Sequence, residues 1–140
     1  MYILDTNVIS ELRKKTSADP GLRQWVSAQP MSQCYLSAVT VKELEYGTLL
    51  LERRDPAQGF RLREWVKEVL ADFRHRVLPI DRQVAERAAS LHVPDPAPEA
   101  DAYIAATALV AGFTLITRNL SDFTRFSGLT LINPWDSQDR

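Results

Sequence analysis

Five short apolar runs, each followed by a stretch of helical character, constrain this chain more than any other feature. They fall at Tyr2 to Leu4, Cys34 to Leu36, Val77 to Ile80, Thr114 to Thr117 and Leu129 to Ile132. Runs this short, with little polar alternation, suit parallel strands covered on both faces, and their alternation with helices indicates an α/β fold. The clearest helical pattern runs from about Arg61 to Phe73, where Leu62, Trp65, Val66, Val69, Leu70 and Phe73 form one apolar stripe. That spacing makes Trp65 and Phe73 core or interface residues, not a base-stacking platform. Further helices are signalled from Asn7, from Thr40, from Asp81 and from about Ala100 to a stop at Gly112, and Ser121 is placed to cap a last short one. No repeat or linker divides the chain, so one domain over residues 1–140 is expected.

Composition removes several classes of function. A formal net charge of −1 leaves no broad basic field, so any nucleic-acid contact must be local. Basic residues do cluster at Arg13 to Lys15, Arg53 and Arg54, and Arg74 to Arg76, where solvated helix ends are the plain explanation. Cys34 is the lone cysteine, which excludes an intrachain disulfide and a thiolate zinc cluster and suits a reducing cytosol. The apolar opening is too short for a signal segment or a membrane span, so a cytoplasmic protein is expected.

Four acids stand where such a fold would gather them. Asp5 ends the first strand and Asp122 follows the fourth, and in open α/β sheets ligands bind at that strand edge beside a topological switch point. Asp5 could merely cap the next helix, although Asn7 is better placed to do so. Glu43 follows the second strand, yet Thr40 to Glu43 also spells a capping box. Asp101 opens a helix rich in small residues, where an acid is also ordinary helix-dipole chemistry. Gly47, inside a helix, hints at close packing. Converging carboxylates repel unless a cation intervenes, and hard Mg²⁺ or Mn²⁺, which favours oxygen ligands and activates water, points to phosphodiester hydrolysis.

These residues resemble the PIN-domain family, in particular the VapC-like ribonuclease toxins of prokaryotic toxin–antitoxin pairs. Leu4 to Glu11 looks like the family's first motif, Ser37 to Leu44 its second, Asp101 to Ala108 its third, and Thr117 to Asn119 with Asp122 and Phe123 its last. Tyr103 departs from the aliphatic residue more usual there, and relatives place the last acid variously at positions like Asn119 or Asp122. The resemblance implies a five-stranded parallel sheet of order 3-2-1-4-5 flanked by helices. It also implies that Asp5, Glu43 and Asp101 hold the metal or its waters, that Asp122 completes the ring, that Thr6 and Asn7 orient the first acid, and that Thr117 and Asn119 line the pocket. An RNA substrate, a homodimer and an antitoxin partner follow as expectations.

Alternatives are weaker. An aspartyl-nucleophile phosphatase of the haloacid-dehalogenase type would need an acid where Asn7 stands, and no G-x-G-x-x-G follows the first strand for a dinucleotide. A binding module that has stopped cleaving would have no use for four mutually repelling acids. His75 and His92 are isolated and suit surface or interface positions.

Overall fold

The computed structural model describes residues 1–136. Residues 137–140, included in the one-domain expectation, lie outside the described residues. The strands are β1 (Tyr2–Leu4), β2 (Cys34–Ser37), β3 (Val77–Leu78), β4 (Thr114–Ile116) and β5 (Leu131–Ile132). They form one sheet of order β3-β2-β1-β4-β5, parallel at every pairing. The helices are α1 (Thr6–Leu12), α2 (Pro20–Ala28), α3 (Ala38–Arg54), α4 (Pro56–Asp72), α5 (Arg82–Leu91), α6 (Glu99–Ala111) and α7 (Leu120–Phe123).

Strand side chains alternate between two cores, as a period of two demands. Leu4, Leu36 and Ile116 face one cluster with Val8, Leu22, Val66 and Phe73 from α1, α2, α4 and the residue after it. Ile3 and Leu115 face the other, with Ile104, Ala105 and Ala108 of α6 and Phe123 of α7. Helices therefore cover both faces. Ala102, Ala105, Ala106 and Ala108 of α6 are wholly buried, which lets that helix lie against the sheet. Because β2 and β4 flank β1 on opposite sides, the chain's direction of travel reverses at β1, and the strands' C-terminal edge beside it is the switch point where open α/β sheets hold a ligand crevice.

Several local expectations are corrected. The stripe-bearing helix begins at Pro56, not near Arg61, because Asp55 ends α3 and caps α4 through Gln58 N at 3.2 Å, with Pro56 in its first turn. Helix α2 was not anticipated, although Asp19 and Pro20 spell its start and the Asp19 carboxylate accepts from Leu22 N at 3.0 Å. Gly47 is not a close approach, since a Cβ there would meet nothing within 4 Å. The close approach is Gly59, where a Cβ would lie 2.4 Å from Glu52 Cα, so α4 folds back on α3 with only a hydrogen between the backbones. Gly112 does end α6, in the left-handed conformation at φ 71°. Asn119 rather than Ser121 sits at the start of α7, without a side-chain cap bond.

Candidate metal centre

Asp5 leaves β1 and enters α1 in one step, so its carboxylate has two duties. Its Oδ1 accepts from Thr6 N at 2.8 Å as the cap of α1. Asn7, expected to be that cap, instead lies inside α1 and donates from Nδ2 to Asp5 Oδ2 at 3.3 Å. The difference arises because the helix starts one residue earlier than its apolar pattern, and the residue before it is Asp5. Thr117, at the end of neighbouring β4, donates from Oγ1 to the same Oδ2 at 2.8 Å. Thr117 Oγ1 in turn accepts Asn119 N at 3.1 Å, and Asn7 Oδ1 accepts Arg118 N at 3.4 Å. Asp5 and Thr117 are both buried, so the two strands that border the crevice are pinned to each other at its floor.

Glu43 is reached from the other wall. The cap of α3 is Ser37, whose Oγ accepts Val39 N at 3.0 Å, so Thr40 and Glu43 are not a capping box. Their spacing of three puts both on one helix face instead. Thr6 Oγ1 donates to Glu43 Oε1 at 2.5 Å and lies 2.9 Å from Thr40 Oγ1. A hydroxyl carries one proton, so Thr40 must be the donor to Thr6, and the three groups form a directed chain ending on Glu43. Thr40 is the supporting residue that sequence reasoning assigned to a cap; it is buried, on the helix face it shares with Glu43.

Asp101 stands in the first turn of α6 and Asp122 in the first turn of α7. Burial pushes the Asp101 carboxyl up to about 6, and the charges of Asp122, Asp5 and Glu43 push the same way. Burial also holds Asp5 above the ordinary aspartate range, against hydrogen bonds from Thr117 and Thr6 and with the charges of Glu43 and Asp122. Asp101 thus lies in the field of the other three acids, and Asp5 in that of Glu43 and Asp122. Among the described residues no three acidic, His or Cys side chains stand together at metal-ligating distance. An acid set that raises its own proton affinity fits a hard divalent cation, which would replace the protons as countercharge and draw the carboxylates together.

Of the other named residues, Thr6, Asn7 and Thr117 touch the acids directly, while Asn119 contributes its backbone amide and has an exposed side chain. His75 is exposed, and His92 holds a loop by accepting Ala97 N at Nδ1. Neither approaches the acids through any of these bonds.

A five-stranded parallel sheet of this order, with its polar crevice at the switch point, is accompanied by a match to the PIN domain over residues 2–129. The chain belongs to the PIN-domain family. It is 40% identical over 141 residues to the VapC ribonuclease Y4jK of Sinorhizobium fredii, spanning 97% of this chain and 99% of that one. The crystal structure of FitAcB from Neisseria gonorrhoeae superposes with a TM-score of 0.85 at 33% identity, over 96% of this chain and 99% of that one. A toxin–antitoxin complex from Klebsiella pneumoniae gives 0.73 at 26% identity, over 97% and 99%.

Proposed function

We propose that this chain is a Mg²⁺- or Mn²⁺-dependent endoribonuclease that hydrolyses RNA phosphodiester bonds, and that it is the toxin of a toxin–antitoxin pair in the cytoplasm. The observation that carries this reading is the convergence of Asp5, Glu43, Asp101 and Asp122 at the switch point, with two of them held at raised proton affinity. The similarity to a VapC ribonuclease over nearly the whole chain supports it. Among the described residues no helix is long and apolar enough to cross a membrane.

In this reading Asp5, Glu43, Asp101 and Asp122 would hold the cation. When bound, the cation supplies countercharge to the carboxylates and the phosphodiester and makes water a stronger acid. Thr117 and Thr6 fix Asp5, and the chain from Thr40 through Thr6 fixes Glu43, so neither carboxylate must reorganise when the substrate arrives. Asn7 ties the Arg118 backbone to the same floor, which keeps the segment carrying Asp122 beside Asp5.

The partner proposal has two parts. A basic side chain from an antitoxin would neutralise the acidic crevice while blocking substrate and cation together. The rest of that partner would be a short apolar segment ordering on binding. An apolar cavity of about 190 Å³, lined by Leu12, Val26, Trp65 and Phe73 among others, lies between α1, α2 and α4 and would receive it. The proposed homodimer would use a different surface. Trp65 is half-buried in the core beneath Arg13, and the exposed apolar side chains of the α3–α4 pair are Tyr46, Leu49, Leu50 and Phe60.

Incubation with a panel of RNAs in Mg²⁺, in Mn²⁺ and in chelator tests the activity. Cleavage with either metal and none in chelator is expected; full cleavage in chelator overturns the reading. Expression alone should arrest growth and co-expression of the neighbouring gene should restore it. Failure of that product to bind or to relieve arrest would leave a nuclease without the toxin assignment.

A further inference from the structure

Acids that must receive a polyanion need fixed positive charge close by, and several cations of this chain are engaged elsewhere. Arg63 is clamped by Glu45 and Glu52, Lys14 pairs with Glu11, Arg76 donates to the Cys34 and Asp72 carbonyls, and Arg13 lies over the Trp65 ring. Arg53 and Arg54 close α3, about 16 Å along the helix axis from Glu43.

Lys42 lines one cavity beside Glu43, and a second cavity gathers two cations on the segments that lead to Asp101 and Asp122. It measures about 530 Å³ and lies between the end of α5, the loop before α6 and the segment after α7. Its walls include Arg87, Ser90, Leu91, Arg125, Phe126 and Ser127, and two guanidiniums are set against one lining carboxylate, that of Asp95. Arg125 spreads over the Phe126 ring at 5.5 Å and donates to the backbone carbonyls of Pro96, at 3.1 Å, and Asp95. Those bonds use two of the five donors a guanidinium carries. Arg87 meets only the Ser90 hydroxyl, at 3.4 Å, and neither arginine has an acidic side-chain partner among the described residues.

Along the chain the cavity's segments run into both acidic elements. The loop that Arg125 grips leads directly into α6, where Asp101 occupies the first turn. Arg125 itself follows Asp122 by three residues, about one helical turn. The volume falls in the range that holds a ligand of nucleotide size, more than inorganic phosphate needs, and the Leu91 and Phe126 wall offers apolar surface beside the charge.

We propose that this cavity binds the RNA strand one step away from the scissile bond. Arg87 and Arg125 are the countercharges of a flanking phosphodiester, and Leu91 and Phe126 carry its sugar or base. This rests on the nuclease reading above.

Steady-state cleavage by the full chain, measured across a series of KCl concentrations, tests it with Arg87→Gln, because Arg87 holds no backbone group. The expected result is KM raised roughly tenfold with kcat unchanged. The slope of log KM against log salt should fall by about 0.7, the value for one phosphate contact on a single strand. Arg87→Lys should restore the slope, the thermal midpoint should not move, and a dinucleotide too short to reach the cavity should be cut equally by both proteins. An unchanged KM and slope in Arg87→Gln, or an equal effect on the dinucleotide, overturns the proposal. Absence of RNA cleavage by the unsubstituted chain overturns the nuclease reading itself, and this inference with it.

Discussion

The crevice at the sheet edge and the outer face of the α3–α4 pair are incomplete in opposite ways. At the site, burial of Asp5 and Asp101, with the neighbouring acid charges, raises their proton affinity despite the hydrogen bonds that hold Asp5. On the α3–α4 face, Tyr46, Leu49, Leu50 and Phe60 are left at least half exposed. The first region carries unbalanced charge and the second unburied area. Each is stabilised only by something outside the chain, and the remedies differ: a cation or a basic side chain for one, an apolar surface for the other.

The largest expected effects break the charged region alone. Asp5→Asn and Asp101→Asn should each reduce RNA cleavage by more than 100-fold, beyond the 10- to 100-fold typical of residues that only orient ligands, while the far-ultraviolet spectrum stays unchanged. Asn still caps α1 and relieves repulsion, which offsets the acceptor lost to Thr117 and Asn7, so Asp5→Asn should remain folded. Cleavage within tenfold of the parent would remove that carboxylate from the site.

Next in size is Thr117→Val, which removes the donor to Asp5 Oδ2 and the acceptor of Asn119 N without changing shape. Mn²⁺ affinity, followed by calorimetry, should weaken 10- to 100-fold. Unaltered binding would show that the β1–β4 pin does not orient the acid.

Stability against pH sharpens the contrast further. The Asp101 carboxyl lies at about 6 in the folded chain against an ordinary 3.8, so between those values the folded state binds more protons than the unfolded one. Stability from this group therefore falls as pH rises through that window and levels off above it. Asp5, also raised, acts with the same sign, whereas Glu11 and Glu52, held below the ordinary glutamate value by Lys14 and Arg63, lose their contribution only as pH drops below about 4.5. Thermal midpoints in chelator should be higher at pH 5 than at pH 8, and Asp101→Asn should flatten the difference. A steeper dependence in the Asn variant would reverse the assignment.

The smallest effects belong to the helix pair. Gly59→Ala should cost about 1–3 kcal/mol because its methyl meets the α3 backbone, while Gly47→Ala, in open space mid-helix, should gain about 1 kcal/mol. Chemical denaturation of both variants separates a required close approach from a tolerated glycine.

How much of this was legible follows the same division. The strands, their sheet order and the gathering of the acids at one edge came from apolar periodicity and family resemblance, because period and order are written along the chain. The directed bonds from Thr40 through Thr6 to Glu43 were not, since the same T-x-x-E spacing serves a cap or a shared helix face, and only the position of Ser37 decides between them. Helix α2 was missed although its start signals were present: Leu22, Trp25 and Val26 form too short a stripe to stand out against a strand or loop. The cavity around Arg87 and Arg125 was invisible because its two arginines are 38 positions apart and belong to no basic cluster.

Asp5 begins α1 and floors the crevice with the same carboxylate, one oxygen for each task. Replacing a single oxygen of that group by nitrogen leaves the first task intact and ends the second, because Asn caps a helix as well as Asp does. Folded silent copies of this chain therefore lie one substitution from armed ones. In a cell that suffers from the activity, selection would find that neighbour before it found an unfolded chain.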